Sequence, residues 1–248
     1  MLWVFSFWKS YDFQNENPCL DRLGKTYYLL TMKQSILRKP FRYSYNNVAF
    51  GIILVNVLVY MLNYISPHSR FYTALIPGLI LQEGYIWQFV TYMFTHAGFS
   101  HILFNMLGIF FFGVQVERRM GSREFLLFYM TTGVLAGIFS FIVYLMTGMY
   151  GVILLGASGA VFAVLLAFAV YFPHANIYIF GILPVRAPVL VIGYTAIELF
   201  NQVFNMQSGV AHLTHLAGFA FAYLYLVIRL GINPMDSFTS RRRGGRWR

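Results

Sequence analysis

The chain has 248 residues, 58% of them hydrophobic and 19% aromatic, with 10% charged and a mean hydropathy of +0.62. Soluble domains carry about 25% charged residues, so this composition excludes a soluble globular domain and requires most of the chain to face lipid or other helices. The formal charge of +10 comes from 18 Lys and Arg against 8 Asp and Glu. Those residues lie between the apolar runs rather than over a polar surface, which argues against nucleic-acid binding. Cys19 is the only cysteine, which excludes an intramolecular disulfide.

In chain order, residues 1–47 read as a cytoplasmic amino-terminal segment. Its opening Met1-Leu-Trp-Val-Phe-Ser-Phe-Trp8 is too short for a span and lacks the small-residue cleavage site of a signal peptide. Met32-Lys33-Gln34 resembles a second chain start, so residues 1–31 are expected to be dispensable. Crossing a hydrocarbon core of about 30 Å takes about 20 mostly apolar residues. Six stretches qualify, near 48–65, 98–116, 124–147, 156–172, 187–205 and 211–231. Between the first two, residues 66–97 form a long loop rich in aromatics, read either as a segment lying in the membrane interface or as an ordinary aromatic belt. The fourth stretch is the shortest, running from the Gly156-Ala-Ser158-Gly159 turn to Phe172-Pro173, where proline stops the helix. A short helix starting below the membrane surface would put Ser158 at the bottom of a water-filled cavity. Residues 232–248 read as a basic cytoplasmic tail, a topological anchor in contact with anionic lipid.

Lys and Arg collect on the cytoplasmic side of membrane proteins. With both termini inside, every one of the 18 Lys and Arg except Arg70 falls on that side. The expected architecture is therefore an all-α polytopic membrane protein, a bundle of six transmembrane helices with amino and carboxyl ends in the cytoplasm. This orientation puts the starts of spans two, four and six on the extracytoplasmic side.

Polar groups within membrane spans are costly and usually mark function. Span two carries His101 and Asn105, four residues apart on one helical face, with His96 just before it. Span four carries Ser158, span five Glu198 and Asn201, and span six His212 and His215. A serine hydroxyl needs a neighbouring base to act as a nucleophile. His215 or His212 supplies one if spans four and six pack closely, as Gly156, Gly159, Gly218 and Ala222 favour. His215 shares the face of Gly218 and is the better candidate. Asn105 and His101 would then donate to the oxyanion formed on a carbonyl attacked by Ser158, together with the Ser158 backbone N–H. Phe162, one turn beyond Ser158, is placed to pack on the His215 ring, and His96, His212 and Gly156 are further candidates to line the cavity.

Each residue also has a structural reading: serine beside glycines as packing, a lone membrane histidine as an interhelical hydrogen bond, Asn105 as interhelical glue. Glu198 reads as lining the cavity or gate, or as paired with Asn201 or water. No third acid to orient His215 is evident. With no His-Glu-x-x-His pair and few acidic ligands, no metal is expected.

These residues resemble the rhomboid intramembrane serine proteases over roughly 48–231. The pieces that carry the resemblance are Tyr85-Ile-Trp87-Gln-Phe-Val-Thr-Tyr-Met-Phe-Thr-His96, His101-Ile-Leu-Phe-Asn105, Glu117-Arg-Arg119-Met-Gly121, Gly156-Ala-Ser158-Gly159 and Ala211-His-Leu-Thr-His215-Leu-Ala-Gly218. The resemblance implies Ser158 as nucleophile and His215 as general base in a dyad, with Asn105 and His101 as the oxyanion site. It also implies that Glu117 and Arg119 brace the cytoplasmic ends of helices. Two positions depart from the family. Gln88 follows Trp87 where relatives often have arginine, so an ionic brace in the loop is expected to be lost; Ala222 follows Gly218 at four residues where a glycine is usual, which would widen the contact between spans four and six slightly.

The expectation is a serine endopeptidase cleaving transmembrane segments of single-span or polytopic membrane proteins near the extracytoplasmic face, without metal or organic cofactor. It would work in a lipid bilayer, taken from the compact six-span plan to be a bacterial plasma membrane. The alternative is a catalytically inactive rhomboid-like protein that binds membrane helices or chaperones them.

Overall fold

A computed structural model describes residues 40–179, 182–204 and 209–239, so the expectations for residues 1–31 and for the arginines at 241–248 lie outside the described residues. The main elements are α1 (Val48–Ile65), three short helices α2 (Arg70–Thr73), α3 (Pro77–Glu83) and α4 (Gln88–Thr91), α5 (Phe99–Met120), α6 (Ser122–Met146), α7 (Ser158–Tyr171), strands β1 (Asn176–Ile179) and β2 (Leu183–Arg186), α8 (Ala187–Phe204), α9 (Gly209–Ile228) and α10 (Pro234–Thr239). Helices α1, α5, α6, α7, α8 and α9 coincide with the six apolar stretches to within a few residues. Of these, α1, α5 and α6 are long and apolar enough to cross a membrane by length and composition. Ser158–Tyr171, Ala187–Phe200 and His212–Ile228 are shorter apolar helical stretches.

The all-α expectation needs one correction. The connection between α7 and α8 contains an antiparallel hairpin in which Asn176 pairs with Arg186 and Ile179 with Leu183. Four-residue strands inside a connector carry too little periodicity to be read against a background of long apolar helices. The expected tail also contains a helix, α10, in its first part.

The helix ends explain themselves locally. Helix α1 is preceded by Asn47 in the left-handed conformation and has no side-chain cap of its own. Its exposed N–H groups are satisfied from another helix: Val48 and Ala49 donate to the two carboxylate oxygens of Glu117 at 2.7 and 2.9 Å. The negative charge sits where the α1 dipole favours it, and Ser122 donates to the same carboxylate at 2.5 Å. At the same end of the bundle, Glu124 on α6 accepts from Arg229 at 2.5 and 3.0 Å and from Tyr225 at 2.5 Å, joining α6 to the end of α9. Arg119 is exposed.

At the opposite end, the segment before α5 is seated in α6. Tyr92 donates through its hydroxyl to the Gly133 carbonyl at 2.6 Å. A Cβ at Gly137 would lie 2.6 Å from the Tyr92 ring and one at Gly133 would lie 2.1 Å from Met93. The two glycines therefore cut the groove that holds this segment. Its brace is Gln88, fully buried, which accepts from the Ile76 N–H at 2.9 Å and donates to the Phe71 carbonyl at 2.8 Å. The ionic brace expected to be lost is thus replaced by a neutral amide that joins two turns of the loop.

The core lies around α7, whose residues from Gly159 to Val170 are almost all buried. Its fourteen residues make it the shortest of the six, about 21 Å at 1.5 Å per residue. Helix α9 meets α7 at Gly218: a Cβ there would stand 2.1 Å from the Gly159 carbonyl oxygen. Ala222, one turn on, is fully buried. Thr214 adds a polar contact, its hydroxyl 2.6 Å from that of Ser140 on α6. Because the obstacle at Gly218 is backbone rather than a flexible side chain, Gly218→Ala is expected to destabilise the protein by about 1–3 kcal/mol, the usual cost of overpacking. A lowered thermal unfolding midpoint in detergent, without loss of insertion, is the expected result.

Candidate active site

The starts of α5, α7 and α9 converge at the end of the bundle away from Glu117. Helix α7 begins at Ser158 after a turn in which Gly156 takes φ +121°, a conformation side-chain-bearing residues rarely adopt. The absence of a side chain also makes room: a Cβ on Gly156 would lie 2.7 Å from Nε2 of His101. The turn is held by the Gly156 N–H donating to the Tyr92 carbonyl at 2.9 Å and the Ala157 N–H donating to Nε2 of His96 at 3.5 Å. An acceptor nitrogen requires neutral imidazole. Burial first, and then the neighbouring His101, push the pKa of His96 down to about 4, keeping it neutral near pH 7.

Ser158 and His215 are adjacent. The Ser158 Oγ lies 2.7 Å from Nε2 of His215, within reach for direct proton transfer. The imidazole plane is fixed by Phe162, stacked on it with centroids 4.4 Å apart and planes 8° from parallel. Phe162 is itself held edge-on by Tyr194 of α8 and Phe219 of α9. The position of Ser158 at the helix start puts its backbone N–H among the unpaired donors of the first turn, where a developing negative charge is favoured.

His101 and Asn105 of α5 stand across from this pair. The His101 ring packs edge-on against His96, centroids 5.0 Å apart. Asn105 is largely buried, and its Nδ2 donates to the His101 carbonyl at 3.0 Å. That bond uses one of the two amide hydrogens and leaves the other available.

His212, the second candidate base, faces Glu198. Its Nδ1 is 2.5 Å from Oε2 of Glu198 on α8. The other carboxylate oxygen, Oε1, lies 3.1 Å from Nδ1 of His215. This corrects the expectation that no acid faces His215, and gives Glu198 two imidazole partners. The signal in the sequence was Glu198 itself, one acidic residue in an apolar stretch near the end that approaches the histidines. A second residue the sequence did not single out is Glu124, whose place at a helix start resembles an ordinary terminal charge although it is the buried partner of Arg229.

Glu198, His212 and His215 could together offer three ligand atoms to a metal, lying within 4.8 Å of one another. The cluster overlaps the Ser158 partner, and a metal on Nδ1 of His215 would leave the hydrogen on Nε2, where it blocks acceptance of a serine proton. The cluster therefore does not fit a metal that assists Ser158.

The family model described as the Rhomboid domain matches residues 83–232. The chain is 36% identical over 94 residues to the putative rhomboid protease YdcA of Bacillus subtilis, covering 38% of this chain and 44% of that protein. It is 31% identical over 139 residues to Rhomboid protein 1, mitochondrial, of Saccharomyces cerevisiae, covering 54% and 39%. It is 24% identical over 181 residues to the rhomboid protease GlpG of Haemophilus influenzae, covering 73% and 89%. The first two matches span less than half the length of those relatives. With the family model covering more than half of its residues, and with its apolar helices, the chain is an integral membrane protein that belongs to the rhomboid family.

Proposed function

We propose that the protein is an intramembrane serine endopeptidase in which Ser158 is the nucleophile and His215 the general base. The observation that carries this reading is the 2.7 Å approach of Ser158 Oγ to His215 Nε2 at the start of a buried helix. The names of similar proteins support it: YdcA is called a putative rhomboid protease and GlpG a rhomboid protease.

In this mechanism the Ser158 hydroxyl attacks a peptide carbonyl and its proton passes to Nε2 of His215. The tetrahedral oxyanion is met by the Ser158 backbone N–H, the free amide hydrogen of Asn105 and the His101 ring. Collapse expels the amine, which takes the proton from His215 and leaves an acyl-enzyme on Ser158. Water then attacks the acyl-enzyme with His215 again as base. Phe162 keeps the imidazole in plane, and Gly156 keeps the space beside His101 open. Glu117 and Arg119 act away from the chemistry, at the other end of the helices.

The substrates are membrane-spanning segments. A helical segment shields its carbonyls in hydrogen bonds, so it has to unwind near the extracytoplasmic face before a peptide bond reaches Ser158. The distribution of Lys and Arg supports six spans with both termini in the cytoplasm, and the six-span plan supports a bacterial plasma membrane. The second reading, a helix-binding protein without catalysis, rests on the same fold and differs in needing no reactive serine.

Reconstituted with a fluorescent single-span substrate, the wild type is expected to cleave it and to be labelled by a fluorophosphonate. Ser158→Ala and His215→Ala are each expected to abolish both while the protein still inserts. A folded wild type that does neither, across several substrates, would favour the helix-binding reading. Asn105→Ala is expected to lower kcat by about 100-fold or more, the scale of an oxyanion donor; an unchanged kcat removes that role. Gly156→Ala should push His101 aside and lower kcat on the order of 100-fold, as small misplacements in such sites do, read in the same assay.

A further inference from the structure

A base facing Ser158 through Nε2 has to carry its own hydrogen on Nδ1 before the reaction, because Nε2 must be bare to accept the serine proton. What faces Nδ1 then decides how well the imidazole holds its orientation and how well it tolerates the positive charge it acquires. In this chain, Nδ1 of His215 faces Oε1 of Glu198 at 3.1 Å. Glu198 is 7% exposed, so its charge is poorly screened by water.

We propose that Glu198 is a positioning residue for His215, turning the serine–histidine pair into a three-membered array whose acid is delivered by α8. The inference rests on the reading of Ser158 and His215 as nucleophile and base. Serine loses its O–H hydrogen to Nε2, His215 becomes imidazolium, and Glu198 stays ionised throughout. The same proton later leaves on the amine. The Nδ1–H does not point along the contact, so His215 Nδ1 makes an ion-pair approach without an aligned hydrogen bond. What the carboxylate supplies at this geometry is negative charge beside the imidazolium as it forms.

The second carboxylate oxygen explains why Glu198 stays in place. Oε2 is 2.5 Å from Nδ1 of His212, one turn before His215 on the same helix. His212 thus anchors the carboxylate on α9, leaving Oε1 directed at His215. Among the described residues, His212, its ring centroid 6.3 Å from that of His215, and His101 of α5 also face His215, and neither brings negative charge. Because Glu198 belongs to α8 while both histidines belong to α9, the base is fully assembled only when the two helices are docked. The competing explanation is that Glu198 and His212 merely tie α8 to α9 and that His215 is a bystander.

The experiment is steady-state cleavage of a single-span substrate in liposomes by the full chain and by E198Q, E198D, H212A and the E198Q/H212A double variant, with unfolding midpoints measured for each. The proposal expects E198Q to lower kcat by about 10- to 100-fold, a loss typical of residues that orient another group, with KM little changed. E198D, which keeps the charge one methylene further away, is expected to recover part of that rate. In the H212A background, E198Q is expected to lower kcat further, by a smaller factor, because His212 holds the carboxylate in place while the charge beside His215 comes from Glu198 itself. H212A alone is expected to lose less than E198Q.

Wild-type kcat in E198Q overturns the proposal. So does an E198Q loss that vanishes once His212 is alanine, because coupled effects of that kind identify a shared tie. If E198Q does not insert, H212A and E198D carry the test: equal losses in the two overturn the proposal, whereas a smaller loss in H212A supports it. Activity in the wild type separates this outcome from a failure of the protease reading, in which wild type itself neither cleaves nor labels and both fall together.

Discussion

The site depends on α7 and α9 meeting backbone to backbone. In lipid the hydrophobic effect gives two helices no reason to prefer each other over acyl chains, so their association relies on close packing and on polar contacts. Gly218 against the Gly159 carbonyl supplies the first for this pair, and the polar contact of Thr214 runs from α9 to Ser140 of α6. The approach has a chemical result. Ser158 is the neighbour of Gly159 and His215 lies one turn before Gly218, so the spacing that lets two backbones touch also brings a hydroxyl to 2.7 Å from an imidazole. The alanine at 222 sits one turn further along and does not prevent this contact.

Charge is divided between the two ends of the bundle. At one end Glu117 and Glu124 are buried, each surrounded by donors: backbone N–H groups and Ser122 for Glu117, Arg229 and Tyr225 for Glu124. A buried carboxylate is tolerated only when its lone pairs are used in this way, and the result at each is a fixed join between helices. At the other end a histidine cluster, a serine, an asparagine and Glu198 converge on one another rather than on helix ends. One end is arranged as a brace and the other as a place where protons can move.

Much of this arrangement was legible in the sequence, for physical reasons that differ from residue to residue. The helix positions could be read because long apolar runs broken by glycine, proline and charge have few alternatives. Ser158 with His215 could be read because each interrupts such a run and small residues accompany both. The β1–β2 hairpin could not, since its strands are four residues long. The role of Glu198 was open because a single acid in a span does not reveal which neighbouring helix it meets, and its two partners lie 14 and 17 positions away on the next helix. Gln88 was legible only as the loss of a charge; its burial adds a side chain with both ends of its amide employed.

That amide has a consequence for how the loop responds to its surroundings. The loop before α5 is held by Gln88 through neutral hydrogen bonds to the backbone at Ile76 and Phe71. Interactions of exposed charges weaken as salt accumulates within a Debye length, and carboxylates lose theirs as the surroundings acidify. An amide bonded to backbone and shielded from water is indifferent to both. The join that Gln88 makes between these two turns of the loop therefore holds alike in brine and in fresh water.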